Sequence, residues 1–216
     1  MTAELPAEVV GSSFTRGCTL PPPSPAERAL WHDGRRRYAV WLVEADTAAV
    51  HALAASARTR LGRWLGPAPR RQLHITLCAC GFPVRRARQP DDFDAQQRRE
   101  QRAALVAAAL PAFSLRVGGI GSFNGCAYLR IGDAEGRLSA LHELLAGAIP
   151  QARAQRFVPH VTLGFYRERF ALARIAQAAA DFDGEAHLPV RALTMATYDP
   201  RRADTPLRYR LRWPLG

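Results

Sequence analysis

Two stretches of this chain, 86 residues apart, carry the same unusual strand. In RRQLHITLCACGF, residues 70–82, His74 and Thr76 alternate with Ile75 and Leu77. In RFVPHVTLGFY, residues 156–166, His160 and Thr162 alternate with Val161 and Leu163. A β-strand sends successive side chains to opposite faces, so each stretch turns an imidazole and a hydroxyl to one side and two aliphatic groups to the other. With 6 His, 10 Thr and 24 Leu in 216 residues, chance yields roughly 0.03 His-x-Thr-Leu matches. Two matches, each with a β-branched residue at x, need a common cause. The chain therefore reads as a duplicated unit with one such strand per half.

The remaining patterns fill in that frame. Residues 1–36 lack periodicity except for SPAERALWHDG, where Ser24 as N-cap, Pro25 in the first turn and Glu27 as reciprocal partner predict a short helix. This part is expected to be an N-terminal extension, and residues 37–216 the domain proper. An apolar strand over 37–44 precedes a helix whose Val50, Leu53, Ala54, Ala57 and Leu61 share one face. After the His74 strand come a loop of mixed charge over 83–94 and a helix ended by Pro111. FSLRVGGIGSF and CAYLRIGD predict two strands joined by a Gly- and Asn-containing turn. A helix with the stripe Leu138, Leu141, Leu145, Ile149 leads to the His160 strand. A further helix and two strand-like segments, AHLPVRALTMATYDP and PLRYRLRWPL, close the chain. The expected fold class is α+β: a bilobal, duplicated fold in which two antiparallel-sheet lobes with outer helices face a central groove.

Hydrophobic residues at 48% and charged residues at 23% suit a soluble globular protein. No apolar run is long enough to span a bilayer, and the N-terminus lacks the basic start and apolar core of a secretory signal, so the protein reads as cytoplasmic and unattached to membranes. Cys18, Cys78, Cys80 and Cys126 lack zinc-type spacing; they read as buried, reduced thiols, and neither a metal nor another cofactor is expected. The formal charge is +11, and all 30 basic residues are Arg. An Arg-favouring genome accounts for most of that bias, yet guanidinium forks suit phosphate oxygens and mildly favour an anionic ligand. A monomer is the default.

Two imidazoles facing one phosphorus from opposite sides can remove a proton from water and give one to a leaving ribose oxygen, since an ordinary pKa near 6.5 populates both protonation states. The threonine hydroxyls can steady charge on the equatorial oxygens. No carboxylate neighbours either motif, so a nucleophile–His–carboxylate triad is not suggested. His32, His51, His142 and His187 stand alone in sequence and read as ordinary structural or surface side chains.

The doubled motif, with FVPHVTL, GIGSF before CAYLRI, and PLRYRLRWPL, resembles the 2H phosphoesterase superfamily, in its 2′-5′ RNA ligase and cyclic phosphodiesterase branch, over residues 37–215. The resemblance implies a metal-independent reaction on ribose phosphates with His74, Thr76, His160 and Thr162 as the catalytic quartet. It also places the strand after GIGSF beside the groove. There Phe123 and Tyr128 are candidates to stack a base or simply to pack, and Arg130 is a candidate phosphate contact or a solvated arginine. Relatives often have a basic residue where this chain has Phe165, which makes Tyr166 and Arg167 candidate substitutes. Expected partners are RNA ends, oligonucleotides or small cyclic nucleotides. The implied activity is hydrolysis of 2′,3′-cyclic phosphates or 2′-5′ linkages, with 2′-5′ ligation as a side of the same site. An ADP-ribose 1″,2″-cyclic phosphodiesterase and a non-catalytic RNA-end-binding module are the alternatives.

Overall fold

The computed structural model describes residues 17–153, 156–202 and 204–216. Tyr38–Glu44 (β1) reads as one apolar run because it is buried on both faces. Ala39, Trp41 and Val43 join the large core beneath the helices, while Tyr38, Val40 and Leu42 join a smaller cluster on the other side. His74–Pro83 (β2), Asp92–Phe93 (β3), Phe113–Ser122 (β4), Cys126–Gly132 (β5), His160–Phe165 (β6), Glu185–Val190 (β7), Ala192–Tyr198 (β8) and Arg208–Pro214 (β9) complete the sheet. Its order is β7-β4-β5-β6-β2-β1-β8-β9, with the short β3 pairing parallel to the end of β2. The other pairings are antiparallel.

The α+β class stands, with one continuous sheet where two separate sheets were expected. Four strands on each side are joined edge to edge into one sheet, and the pair registered across the seam is Ile75–Val161, the residue between His and Thr in each motif. The halves are not contiguous in sequence. After β2 the chain builds β4 to β7, then returns at Arg191 to add β8 and β9 beside β1. AHLPVRALTMATYDP is therefore two strands in different halves; alternation shows that a segment is a strand without naming its partner.

The helices cross as well. Ala48–Leu61 (α2) buries the predicted Val50, Leu53, Ala54, Ala57 and Leu61, but against β4, β6 and β7 rather than against its sequence neighbours. Leu172–Ala179 (α6) lies beside it. Ala95–Ala108 (α3) and Arg137–Ala146 (α4) form the other helical layer, with α4 on β2. The helix expected to run to Ile149 ends at Ala146, and Pro150–Arg153 (α5) follows as a separate turn, with Ile149 buried between them. In that layer Gln101 is fully buried. It accepts from Trp41 Nε1 at 2.9 Å and donates to the Leu145 carbonyl at 2.8 Å. The loop expected over 83–94 contains β3 and a turn closed by Asp92, whose carboxylate accepts from the Arg88 and Gln89 amides.

Pro25–His32 (α1) forms with the predicted capping box between Ser24 and Glu27. Thr19 and Leu20 pair with Phe170 and Asn124 in one half of the sheet. Trp31 packs on Tyr38 and Phe82 in the other half, and Arg35 forks onto Asp91 at 2.7 and 3.0 Å. Residues 19–35 thus tie both halves of the sheet together. Among the described residues, no helix is long and apolar enough to cross a membrane.

Candidate active site

The two motif strands repeat each other down to an irregularity. On β1, Leu42 stands opposite Thr76 and Glu44 opposite His74. On β5, Tyr128 stands opposite Thr162 and Arg130 opposite His160. One residue after each threonine the register slips. The partner of Trp41 is Cys78, and the partner of Ala127 is Gly164, so Leu77 and Leu163 are both bulged. A bulge leaves backbone groups without a ladder partner, and buried groups of that kind must be satisfied otherwise. A helix side chain reaches each one from behind. His142 Nδ1 on α4 donates to the Leu77 carbonyl at 2.8 Å, and Arg58 Nη1 on α2 donates to the Leu163 carbonyl.

Both catalytic candidates are held in the same tautomer. His74 Nδ1 lies 2.7 Å from the Gln72 carbonyl, and His160 Nδ1 lies 2.8 Å from the Val158 carbonyl. A carbonyl can only accept, so Nδ1 carries the proton in each ring and Nε2 holds the lone pair. Among the described residues neither Nε2 has a protein partner, nor has either threonine hydroxyl. Burial pushes the His74 pKa down to about 4; the Gln72 carbonyl pulls it back up, while Arg71 and His160 push it down further. Burial also lowers the His160 pKa, against the Val158 carbonyl. Both rings are therefore neutral at pH 7 in the free protein, and an arriving phosphate anion favours protonating one of them.

His74, Thr76 and Thr162 line a cavity of about 140 Å³ with Arg71, Gln72 and Phe165. The aliphatic residues between them, Ile75, Leu77, Val161 and Leu163, are fully buried in the core as the alternation predicts. Arg71 is the cation of this cavity. Its Nε donates to the Thr205 carbonyl at 3.0 Å, and its guanidinium lies 4.0 Å from the centre of the Tyr198 ring. The sequence offered one faint signal for Arg71, its place three residues before His74, but Phe157 holds that place before His160. Phe157 instead stacks on His142 with ring centres 4.3 Å apart. His142 and Arg58 left no signal in sequence.

Phe123 and Tyr128 meet His160 directly, at ring-centre distances of 4.8 and 5.2 Å, and lie 4.5 Å from each other. Tyr128 is 7% exposed and Phe123 half-buried, and both rings pack against the imidazole. Gly121 permits it: the Tyr128 ring lies across the backbone of its cross-strand partner Gly121, where a Cβ would stand 2.2 Å from Cε2. Arg130 is exposed beside His160. Two candidates lie elsewhere. Tyr166 is fully buried, with its hydroxyl 2.6 Å from Ser122 Oγ. Arg167 lines a separate cavity of about 550 Å³ with Arg63, Trp64 and Phe170. Phe165 itself faces the histidine cavity, so the chain continues from it into the core and away from the site. Cys78 and Cys80 sit in the core, where both contact the Gln101 amide. Among the described residues, no group of three or more His, Cys, Asp or Glu side chains is placed to hold a metal ion.

Comparison with curated proteins gives no match. Solved structures do share the fold. TT0787 of Thermus thermophilus aligns with a TM-score of 0.56 at 17% identity, covering 82% of this chain and 97% of its own. Apo LigT of E. coli aligns with a TM-score of 0.57 at 16% identity, covering 84% and 98%. LigT complexed with 3′-AMP aligns with a TM-score of 0.58 at 17% identity, covering 83% and 98%. The sequence model of the 2′-5′ RNA ligase superfamily matches residues 48–202, a span that holds both His-x-Thr strands, their bulges and the helices that cap them, and the chain belongs to that superfamily.

Proposed function

We propose that the protein hydrolyses phosphodiesters of RNA ends, 2′,3′-cyclic phosphates or 2′-5′ linkages, with His74 and His160 as the acid–base pair and Thr76 and Thr162 as phosphate contacts. The observation that carries this reading is the matched tautomer. Each ring spends Nδ1–H on the carbonyl two residues earlier and keeps Nε2 for substrate. In the reaction one neutral Nε2 takes a proton from water as its oxygen attacks phosphorus. The other ring, protonated when the anion binds, gives its Nε2 proton to the departing 2′ or 3′ oxygen. The product is a ribose monophosphate, and the pair is left with its roles exchanged. Arg71 and the two hydroxyls meet the charge on the non-bridging oxygens. Both proton transfers are supplied by imidazoles, so the scheme needs no metal. E. coli LigT, which shares the fold, has been solved in complexes with 3′-AMP, ATP and phosphate, and this favours a nucleotide-bearing substrate here.

The test is turnover of a 2′,3′-cyclic nucleotide in excess chelator by the wild type, His74→Ala and His160→Ala. Loss of one acid–base group is expected to cost about 10²–10⁴-fold in kcat in each variant. A wild type that turns over neither the cyclic nucleotide nor 2′-5′-linked RNA, or a variant that keeps full activity, refutes the proposal.

A further inference from the structure

A second chamber adjoins His74, and the proton-transfer chemistry leaves it unused. It measures about 120 Å³ and shares Arg71, His74 and Thr76 with the first. Its far walls are aromatic: Trp31, Tyr38 and Tyr198. Tyr38 stands between the other two, with ring centres 5.2 Å from Trp31 and 5.5 Å from Tyr198. Tyr38 is 7% exposed, whereas Trp31 and Tyr198 are only half-buried and keep ring surface open to the chamber.

Trp31 comes from α1, outside the residues 48–202 that match the superfamily. Its position is fixed by several independent contacts. The capping box sets the start of α1, and Asp33 closes its end in a left-handed conformation. Arg35 is clamped by Asp91 and covers the Phe82 ring at 3.5 Å. Upstream, Thr19 Oγ1 donates to the Glu168 carbonyl at 2.7 Å and Leu20 N to the Asn124 carbonyl at 2.7 Å, on the half of the sheet that carries His160. Residues 17–34 therefore run from one half of the sheet to the other and present an indole at the edge of the phosphate cavity.

A group entering this chamber while its phosphate lies on the His–Thr floor is a substituent of the ribose. Of such groups, the one whose chemistry suits half-open aromatic rings beside a guanidinium is a nucleobase, with a π-face to stack and polar edges for hydrogen bonds. The chamber has the room of about four waters, the scale of one planar heterocycle. We infer that residues 17–34 form a recognition strap, in which Trp31 and Tyr198 are walls of a nucleobase pocket on the His74 side of the phosphate floor. The inference rests on reading that floor as a phosphate site. It takes any base, because the walls read ring faces rather than edges.

Calorimetric binding of a nucleoside 3′-monophosphate and of inorganic phosphate, to wild type, Trp31→Ala and Trp31→Phe, tests it without requiring turnover. Base–aromatic stacking is worth about 1–3 kcal/mol, so Trp31→Ala is expected to weaken the nucleotide about 5- to 150-fold. Phosphate affinity stays within about twofold, and Trp31→Phe retains most of the nucleotide affinity because a ring remains to stack. A wild type that binds nucleotide no better than phosphate overturns the inference. So does a Trp31→Ala variant that keeps nucleotide affinity, or one that loses both ligands equally, which marks a purely structural role for α1. Absence of binding of either ligand removes the floor and the pocket together. A protein that shows the expected binding pattern but hydrolyses no phosphodiester refutes the proposed enzyme and keeps the strap.

Discussion

Gly121→Ala is the smallest change that should reach His160 from a residue that does not touch it. The two are linked by Tyr128, whose ring lies over Gly121 and against His160. A Cβ added to Gly121 would stand 2.2 Å from Cε2, 2.4 Å from Cζ and 2.7 Å from the hydroxyl oxygen of Tyr128. Carbon atoms pack at about 3.5–4.0 Å, so the ring must withdraw by more than about 1 Å. Little space receives it, because Phe123 lies 4.5 Å away and His160 5.2 Å away, centre to centre. Overpacking of this kind costs about 1–3 kcal/mol, and a displaced Tyr128 moves the imidazole it supports. Urea unfolding should therefore show a lower midpoint at unchanged m-value, and kcat should fall in the same variant.

The discriminating experiment repeats Gly121→Ala in a Tyr128→Leu background, where the ring is gone. There the added methyl has no ring to meet, and replacing Gly by Ala within a strand favours the fold slightly. The expected cost is below about 0.5 kcal/mol, which gives a coupling of at least about 0.5 kcal/mol between the two sites. Equal costs in both backgrounds would refute the steric account and mean that Gly121 matters for its backbone alone.

Burial lowers both histidines from the ordinary 6.5, and the proposed mechanism needs one charged and one neutral ring, so kcat/KM should peak below pH 6.5; a maximum at or above pH 7 contradicts the assignment. The same shift bears on stability. His74 binds its proton less tightly folded than unfolded, so its contribution is intact above pH 6.5 and is lost as pH falls from 6.5 towards 4. At about 1.4 kcal/mol per pH unit the loss reaches at most about 3.5 kcal/mol; His74→Asn should lack that component in urea titrations at pH 7.5 and 4.5, and an identical acid loss in both proteins argues against it. Arg58→Met and His142→Leu each leave a bulge carbonyl unpaired and should cost about 1–3 kcal/mol with reduced kcat; thermal unfolding and turnover check this, and a variant with unchanged stability shows that the bulge does not depend on its cap.

The sequence announced what local chemistry decides. The alternation in HITL and HVTL, the Ser24–Glu27 capping box and the apolar face of α2 each follow from spacing along one element, and each is present. What it concealed depends on partners far along the chain. Nothing within AHLPVRALTMATYDP says that its first half pairs with β4 and its second with β1. Arg58 and His142 meet bulged carbonyls 105 and 65 residues away, and a lone arginine or histidine on a helix carries no mark of that. Tyr166 and Arg167 were nominated by their nearness to Phe165, but one residue along a strand reverses the face, and Tyr166 accordingly points into the core.

The duplication that made the motif legible also explains why the site is not symmetric. The frame repeats: the strand, the bulge after the threonine, the cap on the bulge and the Nδ1 bond recur in both halves. Two identical imidazoles in identical surroundings would titrate together, which serves a reaction that needs one acid and one base poorly. The neighbours that do not repeat break the tie. A guanidinium, Arg71, stands three residues before His74 and depresses it further, where the other half has Phe157. His160 instead packs against the rings of Phe123 and Tyr128, and the place of Tyr128 opposite the threonine is taken in the first half by Leu42. In the proposed mechanism, Arg71, Phe123 and Tyr128 are the neighbours that would divide the labour between the two histidines. Exchanging one of these for its counterpart, as in Tyr128→Leu, should bring the two titrations of the histidine pair closer together in an NMR pH series; an unchanged separation would place the asymmetry in the substrate rather than in the protein.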